Sequence, residues 1–445
     1  MNTTQQIEWN GTPCIELCAG GYRAWIAYEI GANVIRFRDE ERGMEIFRYR
    51  EDNNAEHIKQ SPEVWGLPTL YLPNRFADGV LKTSDAVYQL PVNEAAPYNN
   101  HIHGFLHKRV HTVVEHHADD NCAVLKTQYR YDENDPFFEY LPIRFLAEYT
   151  FTLSACGLEH KVRLTNLSDK MMPISVATHT TINTPFVDGG KEEDIRLTVP
   201  IGKRCELDER CLPTQRFIDL KLYDLEYKNG TKCPVLQDIN NDMYFAEETE
   251  LEGQSFYGAI VEDTASGKRI CYQVSPEYKF WILWNDRGFN GYFCPEPMTA
   301  MIDAPNLELP RETTGYREIR PPETFEAHQR FFTLDYATIK KSAVPEHPGR
   351  RFCVWAKEKH CRKSGSVKTC RSGKLYPSFR LRDIRSGKRE GLQRRGPPKE
   401  ERIPAGMQPP RGGNAGHKHR TVPCLMLYPV YHIDKGDTML YYIIS

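Results

Sequence analysis

The stretch "IRFLAEYTFTLSACGLEHKVRLTNL", residues 143–167, decides the fold class. Phe145, Ala147, Tyr149, Phe151 and Leu153 recur at every second position, as do Leu158, His160, Val162 and Leu164. A period of two puts one set on each face of a strand, whereas a helix wants apolar residues three and four apart. The short "SACG" between the two runs carries a turn-forming glycine. The pair therefore reads as two strands joined by a turn.

The same pattern extends outward in both directions. "RAWIAYEI" (23–30), "ANVIRFR" (32–38), "CAVLKTQYRY" (122–131), "ICYQVS" (270–275), "KFWILWN" (279–285) and "FEAHQRFFTL" (325–334) are short and rich in β-branched and aromatic residues. Gly, Asn, Asp and Pro separate them, and no long amphipathic helix intervenes. No fixed-period repeat is visible, which excludes a propeller or solenoid. The expectation is an all-β chain, an antiparallel sandwich or barrel rather than βαβ units.

The chain of 445 residues has a globular profile, with 40% hydrophobic, 27% charged and 11% aromatic residues. No segment approaches the roughly 20 apolar residues of a membrane helix, and the N-terminus lacks a basic start followed by an apolar run. The thirteen cysteines include no CxxC pair, so reduced thiols and a cytoplasmic location are expected. The formal net charge of −2 hides a division. Residues 351–420 carry about +15 and everything before them about −16. A boundary is accordingly placed near residue 340, with a β domain over 1–340 and a basic, poorly folded or disordered tail over 341–445. The tail lacks the aromatic interleaving of a nucleic-acid binder. Its Cys353, His360, Cys361 and Cys370 lack the paired spacing of a zinc site. The last segment, "CLMLYPVYHIDKGDTMLYYIIS", turns apolar again and could pair as a hairpin.

Candidate chemistry begins with "NNHIHGFLHKRVHTVVEHH" (99–117), which holds six of the fifteen histidines. His101 and His103 share a face if this is a strand, and Gly104 permits close approach of a ligand or another backbone. His107 and His111 would close a metal set only on a helix, and the segment "LHKRVHTVVEHH" reads as a strand. A hydrogen-bonding pocket and ordinary structural histidines both remain ahead of a metal site. "WGLPTLYLPNRFADG" places Asn74 and Arg75 in a loop, where a guanidinium fork suits hydroxyl or carboxylate oxygens, or simply pairs with Asp78. His179 ends the run "MPISVATH", either as a structural residue or as a proton donor near neutral pH. "NGYFCPEPMTAMIDAPN" holds Glu296 and Asp303, and "IRPPETFEAHQRFFTL" holds Glu323 at the head of a strand. "KFWILWNDRGFNGYF" supplies Trp281, Trp284, Phe289, Tyr292 and Phe293, mostly core, with one or two free to stack on the apolar face of a ligand.

Taken in order, "NR" (74–75), "HG" (103–104), "LTNLS…MPISVATH" (164–179), "EPMT…D.PN" (296–306) and "PPETFEAHQRFF" (321–332) resemble the aldose 1-epimerase (galactose mutarotase-like) family over residues about 7–336. The resemblance implies a large antiparallel β-sandwich with a sugar site in an open cleft, no metal and no organic cofactor. It implies Glu323 as the base at the anomeric hydroxyl and His179 as the acid at the ring oxygen. Arg75, His103, Asn74 and Asp242 would then bind and orient the sugar. The family's Pro-Gly-Glu is Pro321-Pro322-Glu323 here. The implied partner is a small aldose, with neither membrane nor nucleic acid involved. Alternatives are an epimerase for a phosphorylated hexose, which would want Lys or Arg at the pocket mouth, and a non-catalytic sugar-binding protein. For the acid–base reading, nearby acidic groups are expected to raise the His179 pKa.

Overall fold

Alternation along 143–167 becomes the middle of a sheet. Strand Phe145–Ser154 pairs antiparallel with Gly157–Asn166, in a register that sets Phe151 opposite His160. Phe145, Ala147, Tyr149, Phe151 and Leu153 are all buried, while the residues between them are half-buried. The computed structural model describes residues 1–50, 55–335, 429–430 and 441–442. The chain divides into two units, Met1–Lys357 and Glu358–Ser445.

Two eight-stranded antiparallel sheets make up most of the first unit. The first runs Thr112–Ala118, Cys122–Tyr131, Phe145–Ser154, Gly157–Asn166, Thr324–Asp335, Lys268–Val274, Gly258–Asp263 and Ile195–Thr198. The second runs Pro213–Ile218, Ile201–Leu207, Asp242–Ala246, Phe280–Trp284, Tyr292–Met298, Val176–Thr178 and Thr69–Tyr71, with Ile182–Asn183 paired to Tyr292–Met298. A five-stranded meander from Thr3–Trp9 to Met44–Glu45 adds a further layer. The longest described helix, Leu222–Lys228, has seven residues. The chain is therefore all-β, as its period-two patterning requires.

The two large sheets meet face to face. Tyr71 lies 5.0 Å from Phe145 and Tyr272 lies 5.7 Å from Trp281, ring centre to ring centre. Between them Gln329 Nε2 donates to Thr178 Oγ1 at 2.9 Å. This is the face-to-face packing of a sandwich, with aromatic side chains filling the space between the layers. The opposite face of the second sheet is also covered. There Leu70, Ala177, Met243, Phe280, Ile282 and Met298 form a separate apolar cluster with Ala300, Met301, Ile302 and Tyr316. The strand Tyr292–Met298 is consequently buried on both faces along its whole length.

Within the histidine-rich segment the expected single strand is two elements. A 3₁₀ turn, Leu106–Lys108, precedes the strand Thr112–Ala118. In the second unit, Pro429–Val430 pairs antiparallel with Tyr441–Tyr442, and the rest of the terminal apolar segment lies outside the described residues. The boundary near residue 340, most of the basic tail, and Cys353, His360, Cys361 and Cys370 lie outside the described residues. Among the described residues no helix is long and apolar enough to cross a membrane.

Two consequences of this packing are measurable. Phe331 is fully buried, stacked on Tyr272 at 4.0 Å and edge-on to Phe47 at 4.9 Å. Phe331→Ala should cost about 3–5 kcal/mol, read as a lower denaturant midpoint. His111 and His160 are buried as neutral imidazoles, and burial pushes both pKa values down to about 3. Below the ordinary value of 6.5 the unfolded chain binds their protons and the folded chain does not, so stability rises with pH between about 3 and 6.5. His111→Phe, a ring-for-ring change between Tyr129 and Tyr149, should flatten that slope in unfolding curves taken at pH 4, 5 and 6.

Candidate active site

A strand buried on both faces gives its polar side chains no water, so each must find a partner or stay neutral. Pairing sets Ile282 opposite Glu296 and Met243 opposite Ile282. Glu296 therefore shares a face with Met243 and Ile282, as do Tyr292, Cys294 and Met298 by alternation. The neighbouring strand Val176–Thr178 joins through Ala177 opposite Met298 and delivers His179 one residue beyond its end. His179 Nε2 lies 3.3 Å from Glu296 Oε1, with both side chains almost wholly shielded from solvent.

Burial sets the protonation of this pair. It pushes the Glu296 carboxyl well above the ordinary carboxylate range, with Arg75 pulling only weakly the other way. It pushes His179 down to about 4, overriding the opposing charge of Glu63. The expected acidic elevation of the His179 pKa does not occur, because loss of hydration outweighs the one nearby carboxylate. Both shifts favour the uncharged form of the pair, carboxylic acid beside imidazole, over the ion pair.

The pocket wall is built from tight backbone. Asn74 is buried with φ of 55° and its carbonyl accepts the backbone N–H of His103 at 2.9 Å. His103 itself has φ of 66°, and its ring meets His179 edge-on at 5.3 Å. Gly104 follows at φ of 61°, where a Cβ would sit 2.1 Å from the Tyr71 carbonyl oxygen. Only glycine fits there. Nδ1 of His103 and Nδ1 of His179 are both buried without a protein partner. Such unmet nitrogens, each able to donate or accept, suit a ligand rich in hydroxyl groups.

Around this core stand Glu63, His107, Trp284 and Cys294. Glu63 lies 3.6 Å from His107. Burial works against its charge, but His107 and Lys108 hold it down to about 2. Trp284 is half-buried and meets His179 edge-on at 5.5 Å. His179, Cys294 and Glu296 each bring one heteroatom within 4.8 Å of the others, the one such buried triplet of possible metal donors among the described residues. Burial raises the Cys294 thiol and the Glu296 carboxyl well above their ordinary pKa values, so a metal would have to displace both protons.

The structure brings some of the expected site residues together and not others. His179, His103, Asn74 and Arg75 converge. Arg75, however, spends its fork on Glu94, with Nε at 3.0 Å and Nη2 at 2.8 Å, and Nη1 on Asn74 Oδ1 at 3.3 Å. Glu323 does not converge. It is exposed and its carboxylate accepts the backbone N–H of Arg320 at 2.8 Å. Gln329, six residues further along the chain, is the one that reaches Thr178 beside His179, and Glu323 stands just before the start of that strand, about 20 Å along it from Gln329. A turn-capping carboxylate in solvent is not placed to act with His179.

Asp242 also departs from expectation. It lies opposite Leu283, so it shares the sheet face turned away from Glu296. There Arg204 Nη2 donates to it at 2.5 Å and Tyr223 at 2.6 Å, within a buried cluster that includes Asp224 and Tyr244. Both of its carboxylate oxygens are engaged within that cluster. His101 does not share the face of His103. It ends up in the core, bonded to the Pro91 carbonyl oxygen at 2.7 Å and packed on Phe137, because His103 leaves the strand in the left-handed conformation. Asp303, also left-handed, accepts from Ala77 N and Asn306 Nδ2, and burial lifts its pKa to about 6. Glu296 stands between two prolines, Pro295 and Pro297, two positions from Cys294 in a run that alternates, a local signal of a rigidly held carboxylate.

Comparison with known proteins agrees with this architecture. Residues 13–331 match the family model described as aldose 1-epimerase. A galactose mutarotase-like protein from Clostridium acetobutylicum is 32% identical, with a TM-score of 0.72, over 75% of this chain and 98% of its own. A galactose 1-epimerase from Lactobacillus acidophilus shares the fold at 16% identity and a TM-score of 0.56, over 75% of this chain and 99% of its own. A relative from Caenorhabditis elegans, a GalM/aldose epimerase homologue, does so at 15% identity and a TM-score of 0.53, over 75% and 99%. The chain belongs to the aldose 1-epimerase family.

Proposed function

We propose that the protein interconverts the α and β anomers of an aldose, and that Glu296 and His179 move the protons. One observation carries this reading: an imidazole and a carboxyl 3.3 Å apart in a site closed to water. Opening a hemiacetal ring requires a proton on the ring oxygen and the removal of one from the C1 hydroxyl. Both oxygens are bonded to C1, so a donor and an acceptor side by side can address them together.

The uncharged pair supplies both. Glu296 gives its proton to the ring oxygen as His179 Nε2 takes the hydroxyl proton, and the C1–O bond to the ring breaks. The open aldehyde faces a carboxylate and an imidazolium, held as an ion pair away from solvent. Rotation about C1–C2 presents the other face of the carbonyl. The C5 hydroxyl then closes the ring, returning its proton to Glu296 while His179 protonates the carbonyl oxygen. Each group is acid in one half and base in the other. Neither an oxidant nor a metal enters the balance.

The remaining wall fits this use. His103, with Nδ1 unpartnered, is suited to a sugar hydroxyl, and Trp284 offers apolar surface beside His179. Asn74 acts on the backbone of His103 and on Arg75 and positions both. A cytoplasmic setting is supported by the nine described cysteines, all of them free thiols.

Exchange between the anomeric protons of equilibrated glucose and galactose, followed by NMR magnetisation transfer, tests the assignment. Glu296→Gln and His179→Asn should each slow catalysed exchange by about 10²–10⁴-fold, and Glu323→Gln should leave it near the unmodified level. Loss of exchange in Glu323→Gln with exchange kept in Glu296→Gln would overturn it. The pH profile is a second check. The working pair holds a single proton, and His179 takes a second only toward pH 4. The rate constant at saturation should thus show no inflection at the ordinary histidine value of 6.5 and should fall only as the pH approaches 4.

A further inference from the structure

Arginines on this chain mostly find carboxylates. Arg38 pairs with Asp188, Arg75 with Glu94, Arg109 with Asp135 and Arg204 with Asp242. Arg48 pairs with none among the described residues. Its guanidinium carbon lies 3.8 Å from the ring centre of Trp65 and 3.8 Å from that of Tyr292. Nη1 donates to the Val64 carbonyl oxygen at 2.8 Å. Nε and Nη2 have no hydrogen-bond partner among the described residues, and neither is among the sealed, unsatisfied atoms, so both reach solvent.

Its position ties it to the proton pair. Tyr292 projects from the same strand face as Cys294 and Glu296, so Arg48 begins a row that continues through Cys294 to Glu296 and His179. Tyr292 and Glu296 are four residues apart, about 13 Å along the strand. That span is longer than a bare pyranose ring and matches the length of one carrying a substituent at its far end. The acid nearest in effect, Asp286, accepts the Tyr292 hydroxyl at 3.2 Å and makes no ion pair with Arg48.

A guanidinium clamped between two rings has lost water from both faces and lost most of its freedom. The edge left open presents parallel N–H groups, which match two oxygens of a phosphate or carboxylate. We infer that Arg48 is an anion subsite of this active site, and that the preferred substrate is an aldose bearing a phosphate or carboxylate at the end remote from C1. This rests on the epimerase reading above and narrows its substrate class.

Anomer exchange by NMR magnetisation transfer, run with glucose, glucose 6-phosphate and glucuronate, tests it. The unmodified chain should show a higher kcat/KM for glucose 6-phosphate or glucuronate than for glucose, and the better of the two identifies the anion. Arg48→Met should lower the anionic-to-neutral ratio by about 10- to 100-fold, chiefly through KM, as loss of a charged bidentate contact implies. Arg48→Lys keeps the charge without the fork and should lower the ratio less, which also serves if Arg48→Met fails to fold. Equal losses on all three sugars, or glucose preferred by the unmodified chain, would overturn the subsite while leaving the epimerase reading intact. No acceleration of any sugar would overturn both.

Discussion

The constraint on which the site depends is that Tyr292–Met298 has no wet face. One side packs into the sandwich and the other into the cluster around Ile282 and Met298. A carboxylate placed in such a strand is too costly to keep charged without a tightly bonded cation, and Arg75, the nearest, is already committed to Glu94. Burial therefore favours the protonated form of Glu296 and the unprotonated form of His179. The fold thereby stores a donor and an acceptor side by side, a state that two solvated side chains would reach only within a narrow range of pH.

Elsewhere the molecule settles its buried charges differently. Asp135 takes Arg109, and Asp224 and Asp242 share Arg204, with tyrosine hydroxyls completing the carboxylate shells. These clusters are locally satisfied and have nothing left to offer a ligand. The site is the opposite case. Nδ1 of His103, Nδ1 of His179 and Nδ1 of His107 lack hydrogen-bond partners within it. So many unmet polar atoms in one place are unfavourable until something polar arrives, and a sugar brings a hydroxyl for nearly every carbon.

How much of this was legible in the sequence follows from the range of each signal. Strand segments were readable because alternation is local: "CAVLKTQYRY" is the observed strand Cys122–Tyr131. His179, His103, Asn74 and Arg75 were readable because short motifs carry them in order. Glu323 was misplaced because its motif says only that a carboxylate precedes the last long strand. Whether that carboxylate turns inward depends on the distance along the strand to Gln329, which no local pattern encodes. Asp242 failed for a sharper reason. A single step along a strand reverses the face, so Met243 looks toward the site and Asp242 away from it. Composition cannot decide that parity; only the pairing with Leu283 does.

His101 and His103 show the same limit in miniature. Two positions apart, they would share a face in any regular strand. The strand ends at Ile102, and His103 and Gly104 both turn left-handed to pass under the Tyr71 carbonyl. That break sends His101 into the core and His103 into the pocket. The density of histidines in residues 99–117 thus has no single cause. One lines the site, one supports Glu63, two are core, and His116 and His117 lie on the surface. What unites the buried ones is that each is neutral, since no site among them supplies enough negative charge to offset the loss of water. The chemistry this molecule is built for is accordingly proton transfer between groups that start uncharged, with separated charge appearing only while the sugar ring is open.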